Sequence, residues 1–557
     1  MALSTAKAAK QVEKDACITT VRYLYFEAKN NGEKLVSRST FVKSTVLITA
    51  ATLISKILGS IFRIPLQNIA GDRVLGIFSL VYPIYMVALI LSVAGIPIAI
   101  SKLIADARAQ NQLNQVKEIY ITASILAFLF GLSSFLVIYI FSTNIAEILG
   151  GQSTRFALII VALTLLVAPY MAVYRGYFQG FEDMKPTAVS QVIEQFIRVG
   201  LILFIAYLLV ERELADNVVA GGIMIGSVVG AFISLVYLRV KYVRSSFKQA
   251  TSRKFTFHRF TSWSKHILKL SIPIAIGAIT MALLNFIDSI TIPYGLRVIE
   301  ASESHINYLY GIYGRGLSVV QIATVFATSI ILPLIPLITT KLAKGNTVQV
   351  RNLIEKTYRL THLLSWPAAA GLLALTLPIN LALFTDLEGN WVLAIIGVSS
   401  VFTSLTVLST GILQGLNLAK QAALFVILGV LIKAIANIYF IHLLGLVGAA
   451  LSTLAVYIIL FIINTWYIYN HQPFKVMKRM IFKIQVASLF MAVVIGLPTL
   501  YISIADWTRP QAFMYLTIAI IIGSTIYVTL LLFMKVINMN EVVQYIPGIQ
   551  KKGRADR

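Results

Sequence analysis

Apolar runs of about 20 residues, separated by short polar stretches, recur along nearly the whole chain. A helix needs about 20 apolar residues to cross the hydrocarbon core of a bilayer. The pattern predicts fourteen membrane-spanning helices, at about 44–69, 76–101, 118–142, 155–178, 187–210, 217–239, 266–293, 308–340, 357–384, 391–414, 420–442, 446–469, 481–503 and 511–535. Several exceed the minimum length, so tilt or extension beyond the bilayer is expected. The predicted class is an all-α polytopic membrane protein.

The polar stretches alternate in charge. Residues 1–43, KLIADARAQNQLNQVK (102–117), the segment 241–269, KLAKGNTVQVRNLIEK (341–356), HQPFKVMKRMIFK (471–483) and the tail KKGRADR are rich in Lys and Arg. The intervening AGDRVLG, FSTNIAEILGGQS, VERELADN, FTDLEGN and IADWTRP are short and poor in cations. Cations collect in cytoplasmic loops, so both termini are expected in the cytoplasm and the number of spans is expected to be even. The first 43 residues lack the apolar stretch of a signal peptide and read as a basic cytoplasmic extension.

Composition fits this picture. The 557 residues are 58% hydrophobic, with a mean hydropathy of +0.82. A net charge of +24 would suggest nucleic acid in a soluble protein. Here the cytoplasmic loops account for it, and no nucleic-acid partner is expected. A single cysteine, Cys17, excludes an internal disulfide and a cysteine metal site. The six histidines are scattered, and neither a phosphate-binding loop nor a Ser/His/Asp grouping is present. A transporter is expected rather than an enzyme.

The chain also repeats itself. GYFQGFEDMKP (176–186) returns as GILQGLNLAKQ (411–421), so that Gly176, Gln179, Gly180 and Lys185 match Gly411, Gln414, Gly415 and Lys420. At the same offset Arg198 matches Lys433. IPIAISKL (96–103) returns as IPLITTKL (335–342), and QVKEI (115–119) faces QVRNL (349–353). Two parallel six-helix lobes follow, 44–240 and 266–470, joined by a basic linker, 241–265. Spans 13 and 14 (471–537) stand outside the repeat, and 538–557 is a cytoplasmic tail. Two lobes around a central site are an alternating-access architecture. Pro97, Pro169, Pro273, Pro333 and Pro336 are candidate bends.

The candidate chemistry is a set of charges at membrane depth, where a cation costs about 2.5–3.5 kcal/mol. Lys56 and Arg63 lie seven residues apart in span 1, on one helix face. They are the leading substrate-binding residues, for an anion. Arg315, between Gly314 and Gly316, is a third cavity cation, and Lys433 a fourth. Arg198 has Glu194 one turn before it and is read as a structural ion pair with it. Arg175 lies near a helix end and is read as snorkelling. Two roles are open to Asp288. With Asn285 it can bind a coupling ion, Na⁺ or H⁺; alternatively it is the counter-ion of Arg63 or Arg315.

ISKILGSIFRIPLQ followed by a second span, the QG block after span 4 and the fourteen-span two-lobe repeat resemble the MOP superfamily of exporters and flippases. Within it the chain resembles the lipid II flippases of Gram-positive bacteria, over about residues 42–537. The resemblance implies that spans 1, 2, 7 and 8 enclose a cationic cavity for a pyrophosphate and sugar headgroup, and that spans 13 and 14 make a groove for the polyprenyl tail. Family arginines fall on Lys56, within one residue of Arg63, and on Arg315. A sodium-binding aspartate of some members falls on Asp288. The family's acid early in span 2 has no equivalent near Gly76 to Ser79. The implied activity is transfer of lipid II from the inner to the outer leaflet of the bacterial cytoplasmic membrane. The alternatives are another polyprenyl-linked oligosaccharide for capsule, teichoic-type polymer or spore cortex, and cation-coupled multidrug export. Beyond the coupling ion no cofactor is expected. Expected partners are membrane lipids and the polyprenyl-pyrophosphate glycan, with cell-wall synthesis proteins as candidates.

Overall fold

The computed structural model describes residues 35–93, 95–245, 256–299, 302–475 and 477–537. Nearly all of the N-terminal extension, Cys17, the middle of the linker and the tail lie outside them, as do the side chains of Pro273 and Pro333. Every described regular element is helical: α1 (Leu35–Ile61), α2 (Arg63–Val93), α3 (Ile96–Ala109), α4 (Leu113–Ile140), α5 (Ser142–Leu149), α6 (Arg155–Ala162), α7 (Thr164–Gly180), α8 (Lys185–Glu211) and α9 (Asp216–Val243) in the first half. The second half holds α10 (Phe257–Ile299), α11 (Glu303–Ala343), α12 (Thr347–Ala374), α13 (Thr376–Phe384), α14 (Asn390–Gly415), α15 (Ala419–Leu444) and α16 (Leu446–His471). Helices α17 (Lys478–Gly496), α18 (Pro498–Tyr501) and α19 (Arg509–Phe533) follow.

Among the described residues, eleven helical stretches are long and apolar enough to cross a membrane, or twelve if α12 and α13, bent by 78°, form one span. The expectation of fourteen differs for two reasons. Ala50–Ala109, a 60-residue stretch, contains two expected spans. The expected span 308–340 lies on α11, where several side chains are outside the described residues. Gly71 (φ 76°, ψ 176°) makes the turn between spans 1 and 2, a backbone conformation that only glycine takes without strain. Phe62 interrupts the first span for one residue, yet Leu66 N still donates to Phe62 O at 3.0 Å.

The repeated blocks pack alike. In the first half, α7 lies on α3: a Cβ on Gly176 would stand 2.8 Å from the Pro97 backbone, and Arg108 Nη1 donates to Gly180 O at 2.9 Å. In the second, α14 lies on α11: Gly411 faces Ile331, and Thr339 Oγ1 donates to Gly415 O at 3.0 Å. Small residues let these helices approach in a medium where apolar burial drives little association. The two glycine blocks therefore read as lobe cores rather than sites.

The halves are joined unevenly. We call the end carrying residues 102–117 and 341–356 the cation-rich end, and the opposite one the cation-poor end. At the cation-poor end α2 and α11 press backbone to backbone. A Cβ on Gly76 would fall 1.8 Å from Asn307 O, and one on Gly311 2.0 Å from Asp72 O. Nearby, Asn307 Nδ2 donates to Ser153 Oγ (2.8 Å), Ser153 N to Glu303 Oε1 (2.7 Å) and Asn68 Nδ2 to Leu383 O (2.7 Å). Towards the cation-rich end, α3 and α11 instead turn to α7 and α14 of their own halves. Helix α10 belongs to both halves. Its first turns hold the first half, with Trp263 Nε1 donating to Glu118 Oε2 at 3.0 Å and Ser271 against Gly95. Its later turns hold α15, with Gly295 against Ile441.

Candidate functional site

The membrane-depth charges fall into three groups. The first lies between α1 and α8. Thr52, Lys56, Gly59 and Arg63 share one stripe, with spacings of four, three and four residues. Opposite it run Gln191, Gln195 and Arg198 of α8. Thr52 Oγ1 donates to Gln191 Oε1 at 3.4 Å, and Gln195 Oε1 stands 3.5 Å from where a Gly59 Cβ would lie. Lys56 is exposed, whereas Arg63 and Arg198 are buried. Both guanidiniums lie against Tyr82, at 5.6 Å and 5.4 Å from its ring centroid. Arg63 also lies 5.6 Å from the Phe78 ring, and Arg198 Nη2 donates to Tyr82 Oη at 3.1 Å.

No ion pair among the described residues includes Lys56, Arg63 or Arg198. The Nε atoms of both arginines and Gln195 Oε1 are buried without a hydrogen-bond partner. Aromatic faces return about 0.5–2 kcal/mol to each cation, less than burial costs it. Two buried positive charges against one ring, with donors unused, make a site that favours an anion.

The expected pair of Glu194 with Arg198 is corrected. Glu194 Oε2 accepts from Arg175 Nη2 at 2.7 Å, and Arg175 Nε also donates to Ser190 Oγ at 3.0 Å. Arg175 therefore does not snorkel; it is the structural cation, and Arg198 is left to the site. Helical spacing alone could not show that α7 brings a competing arginine.

The second group closes the cation-poor end. Arg315, 1% exposed, donates from Nε to Asp72 Oδ1 at 2.6 Å. Its Nη1 and Nη2 donate to Asp386 Oδ1 and Oδ2 at 2.6 and 2.7 Å. Nη2 also reaches Asp72 Oδ2, and the guanidinium lies 5.3 Å from the Phe384 ring. Arg315 is thus not a free cavity cation here, and Asp288 is not its counter-ion. Both aspartates lie in stretches expected to be external loops. The sequence signal was spacing: Asp72, Gly76 and Ser79 share one face of α2, as Gly311, Arg315 and Ser318 share one of α11. Asp72 also supplies an acid at the start of span 2, four residues before the expected window.

The third group is Asp288 with Lys433, each 1% exposed and 2.6 Å apart. Lys433 is therefore paired rather than offered to substrate. Asn437, not Asn285, supplies the neighbouring amide, donating to Asp288 Oδ1 at 2.9 Å, and Tyr313 Oη donates to Oδ2 at 3.1 Å. Asp288 is the counter-ion neither of Arg63 nor of Arg315. The Lys433 ammonium lies against the carboxylate, in the position an exchangeable cation would take.

Two repeated helical halves, tied at one end by the paired Arg315, with buried cations on Tyr82 in the first half, are the layout of a membrane transporter. The profile of the family described as polysaccharide biosynthesis protein matches residues 41–341, more than half of the chain. The chain belongs to that family. It is 30% identical over 422 residues to the uncharacterized membrane protein YabM of Bacillus subtilis, covering 75% of this chain and 78% of that one. It is 26% identical over 554 residues to the lipid II flippase MurJ of Bacillus subtilis, covering 93% and 99%. A solved structure of the lipid II flippase MurJ in an inward closed conformation superposes with a TM-score of 0.65 at 17% identity, covering 88% of this chain and 98% of that one.

Proposed function

We propose that the chain carries lipid II, the polyprenyl-pyrophosphate-linked peptidoglycan precursor, from the inner to the outer leaflet of the bacterial cytoplasmic membrane. The observation that carries this reading is the pair Arg63 and Arg198 on Tyr82, neither in an ion pair among the described residues, with exposed Lys56 two turns away. A pyrophosphate spends its hydration on entering the membrane. Two forked donors and an ammonium replace it, and an apolar anion-free cargo would leave them unpaired. A carrier of cationic drugs would instead need free carboxylates, and those at this depth are bound to Arg175, Arg315 and Lys433.

In this reading the cation-rich end faces the cytoplasm, with both termini. The Arg315 cluster then closes the outer side while the first-half cations await an anion from within. Outward movement of the anion follows an inside-negative potential, by about 2.3 kcal/mol per charge per 100 mV. The polyprenyl tail stays in lipid beside α17 and α19.

The test is depletion of the chain in cells where it is the sole candidate flippase, with externally accessible and total lipid II measured together. Exposed lipid II falls and total lipid II rises if the reading is right. Unchanged exposure overturns lipid II as cargo and points to another polyprenyl-linked glycan. Candidate partners in the cell are the cell-wall synthesis proteins that consume the exported precursor.

A further inference from the structure

The centre around Asp288 is built like a cation site whose cation is part of the chain. Helices α10, α11, α15 and α16 converge on it. Asp288 Oδ2 and Leu284 O accept from Lys433 Nζ at 2.6 and 3.4 Å. Tyr313 Oη bonds Asp288 Oδ2 and lies 2.8 Å from Thr453 Oγ1. Asn437 Nδ2 bonds Asp288 Oδ1 and Thr291 Oγ1 (2.8 Å), while its Oδ1 is buried with no partner. Tyr457 presents its ring 5.7 Å from Nζ. Carboxylate, amide, hydroxyl and carbonyl oxygens are hard ligands for a small cation. Removing the ammonium would leave a carboxylate, 1% exposed, with no positive charge on any neighbour described here.

We propose that Lys433 supplies from the chain itself the cation that the Asp288 centre requires, so that the wild-type centre takes no exchangeable ion, and that a chain lacking this ammonium takes up sodium in its place. The Asn437 amide has only to turn for its unused oxygen to join Asp288 and Leu284 O around the ion. The consequence for transport rests on the flippase reading; ion binding does not. Its test therefore measures no transport, and failure of either reading is seen separately.

The experiment is thermal unfolding of the purified full-length chain in NaCl against choline chloride at equal ionic strength. Wild type is expected to melt at one temperature in both salts. Lys433→Ser is expected to melt lower than wild type in choline and to regain stability as sodium rises, with saturation. Lys433→Ser combined with Asp288→Asn is expected to lose that response. A saturable sodium-specific rise for wild type overturns the proposal. So does a Lys433→Ser chain that is equally unstable, or equally unrecoverable, in both salts, and so does a sodium response that survives Asp288→Asn.

Discussion

Asp72 and Arg315 meet across the seam between the two halves, with Arg315 Nε 2.6 Å from Asp72 Oδ1 and both side chains buried. Asp386 holds the other edge of the same guanidinium from within the second half. The two acids are therefore not equivalent: only Asp72 ties one lobe to the other. Arg315→Met leaves the buried Asp72 unpaired beside the part-exposed Asp386 and is expected to cost about 3–5 kcal/mol. Asp72→Asn keeps Arg315 neutralised by Asp386, so it is expected to cost less while loosening the seam. The check is thermal unfolding of both variants, with labelling of a cysteine at Ser79 by a membrane-impermeant reagent. Asp72→Asn should raise labelling from the cation-poor side with a modest loss of Tm.

Arg63 is expected to behave in the opposite sense. A structural cation destabilises when removed, but Arg63 has no acid to leave unpaired. Arg63→Met removes a buried charge worth about 2.5–3.5 kcal/mol against the fold and forfeits an aromatic contact worth less. Stability should hold or rise while transport is lost, as sites held against stability predict. The double replacement Lys56→Ala with Arg63→Ala should abolish transport and leave insertion intact. Lipid II exposure in depleted cells, read beside the melting temperature, checks both. A destabilisation as large as that of Arg315→Met would make Arg63 structural.

The Arg175–Glu194 pair offers a quantitative contrast. Both side chains are largely buried, and their 2.7 Å bond is backed by Ser190 and Ser234 on Arg175. A double-mutant cycle on Arg175 and Glu194 is expected to give a coupling of about 1–3 kcal/mol. The same cycle on Glu194 and Arg198, one helical turn apart, should give about 0.5 kcal/mol or less. Equal couplings would restore the local pair that sequence spacing suggests.

These contrasts show how far the sequence could be read. Apolar run length located the helices, because crossing a bilayer fixes both length and composition. The repeat showed which helices pack alike: Gly176 lies on the helix that carries IPIAISKL, and Gly411 on the one that carries IPLITTKL. Depth marked Lys56, Arg63, Arg198, Arg315 and Lys433 as costly charges; Arg315 and Lys433 are paired with carboxylates, Arg63 and Arg198 lie on Tyr82, and Lys56 is exposed. Partner choice was not legible. Glu194 with Arg175, Asp72 with Arg315 and Asp288 with Lys433 join residues 19, 243 and 145 positions apart. Tyr82 and Gln195 carry no sequence signal, because a tyrosine or glutamine in a span is ordinary until two arginines or an unpaired oxygen lie beside it.

The seam also predicts what blocks the cycle. Gly76 and Gly311 leave space for backbone alone: the atoms a Cβ would meet are Asn307 O at 1.8 Å and Asp72 O at 2.0 Å. No side chain can swing away to make room, so α2 and α11 must separate to admit any larger residue. Separation carries Asp72 away from Arg315 and breaks the tie between lobes. Gly76→Val and Gly311→Val should therefore insert and fold, since each lobe's core packs without the seam, but should hold the cation-poor end apart. A cysteine pair at Ser153 and Asn307, whose side chains meet at 2.8 Å, reports closure. Oxidative cross-linking should be efficient in the parent and lost in either valine variant, with transport lost alongside. Undiminished cross-linking in a folded Gly76→Val chain would show that the seam is not the moving part.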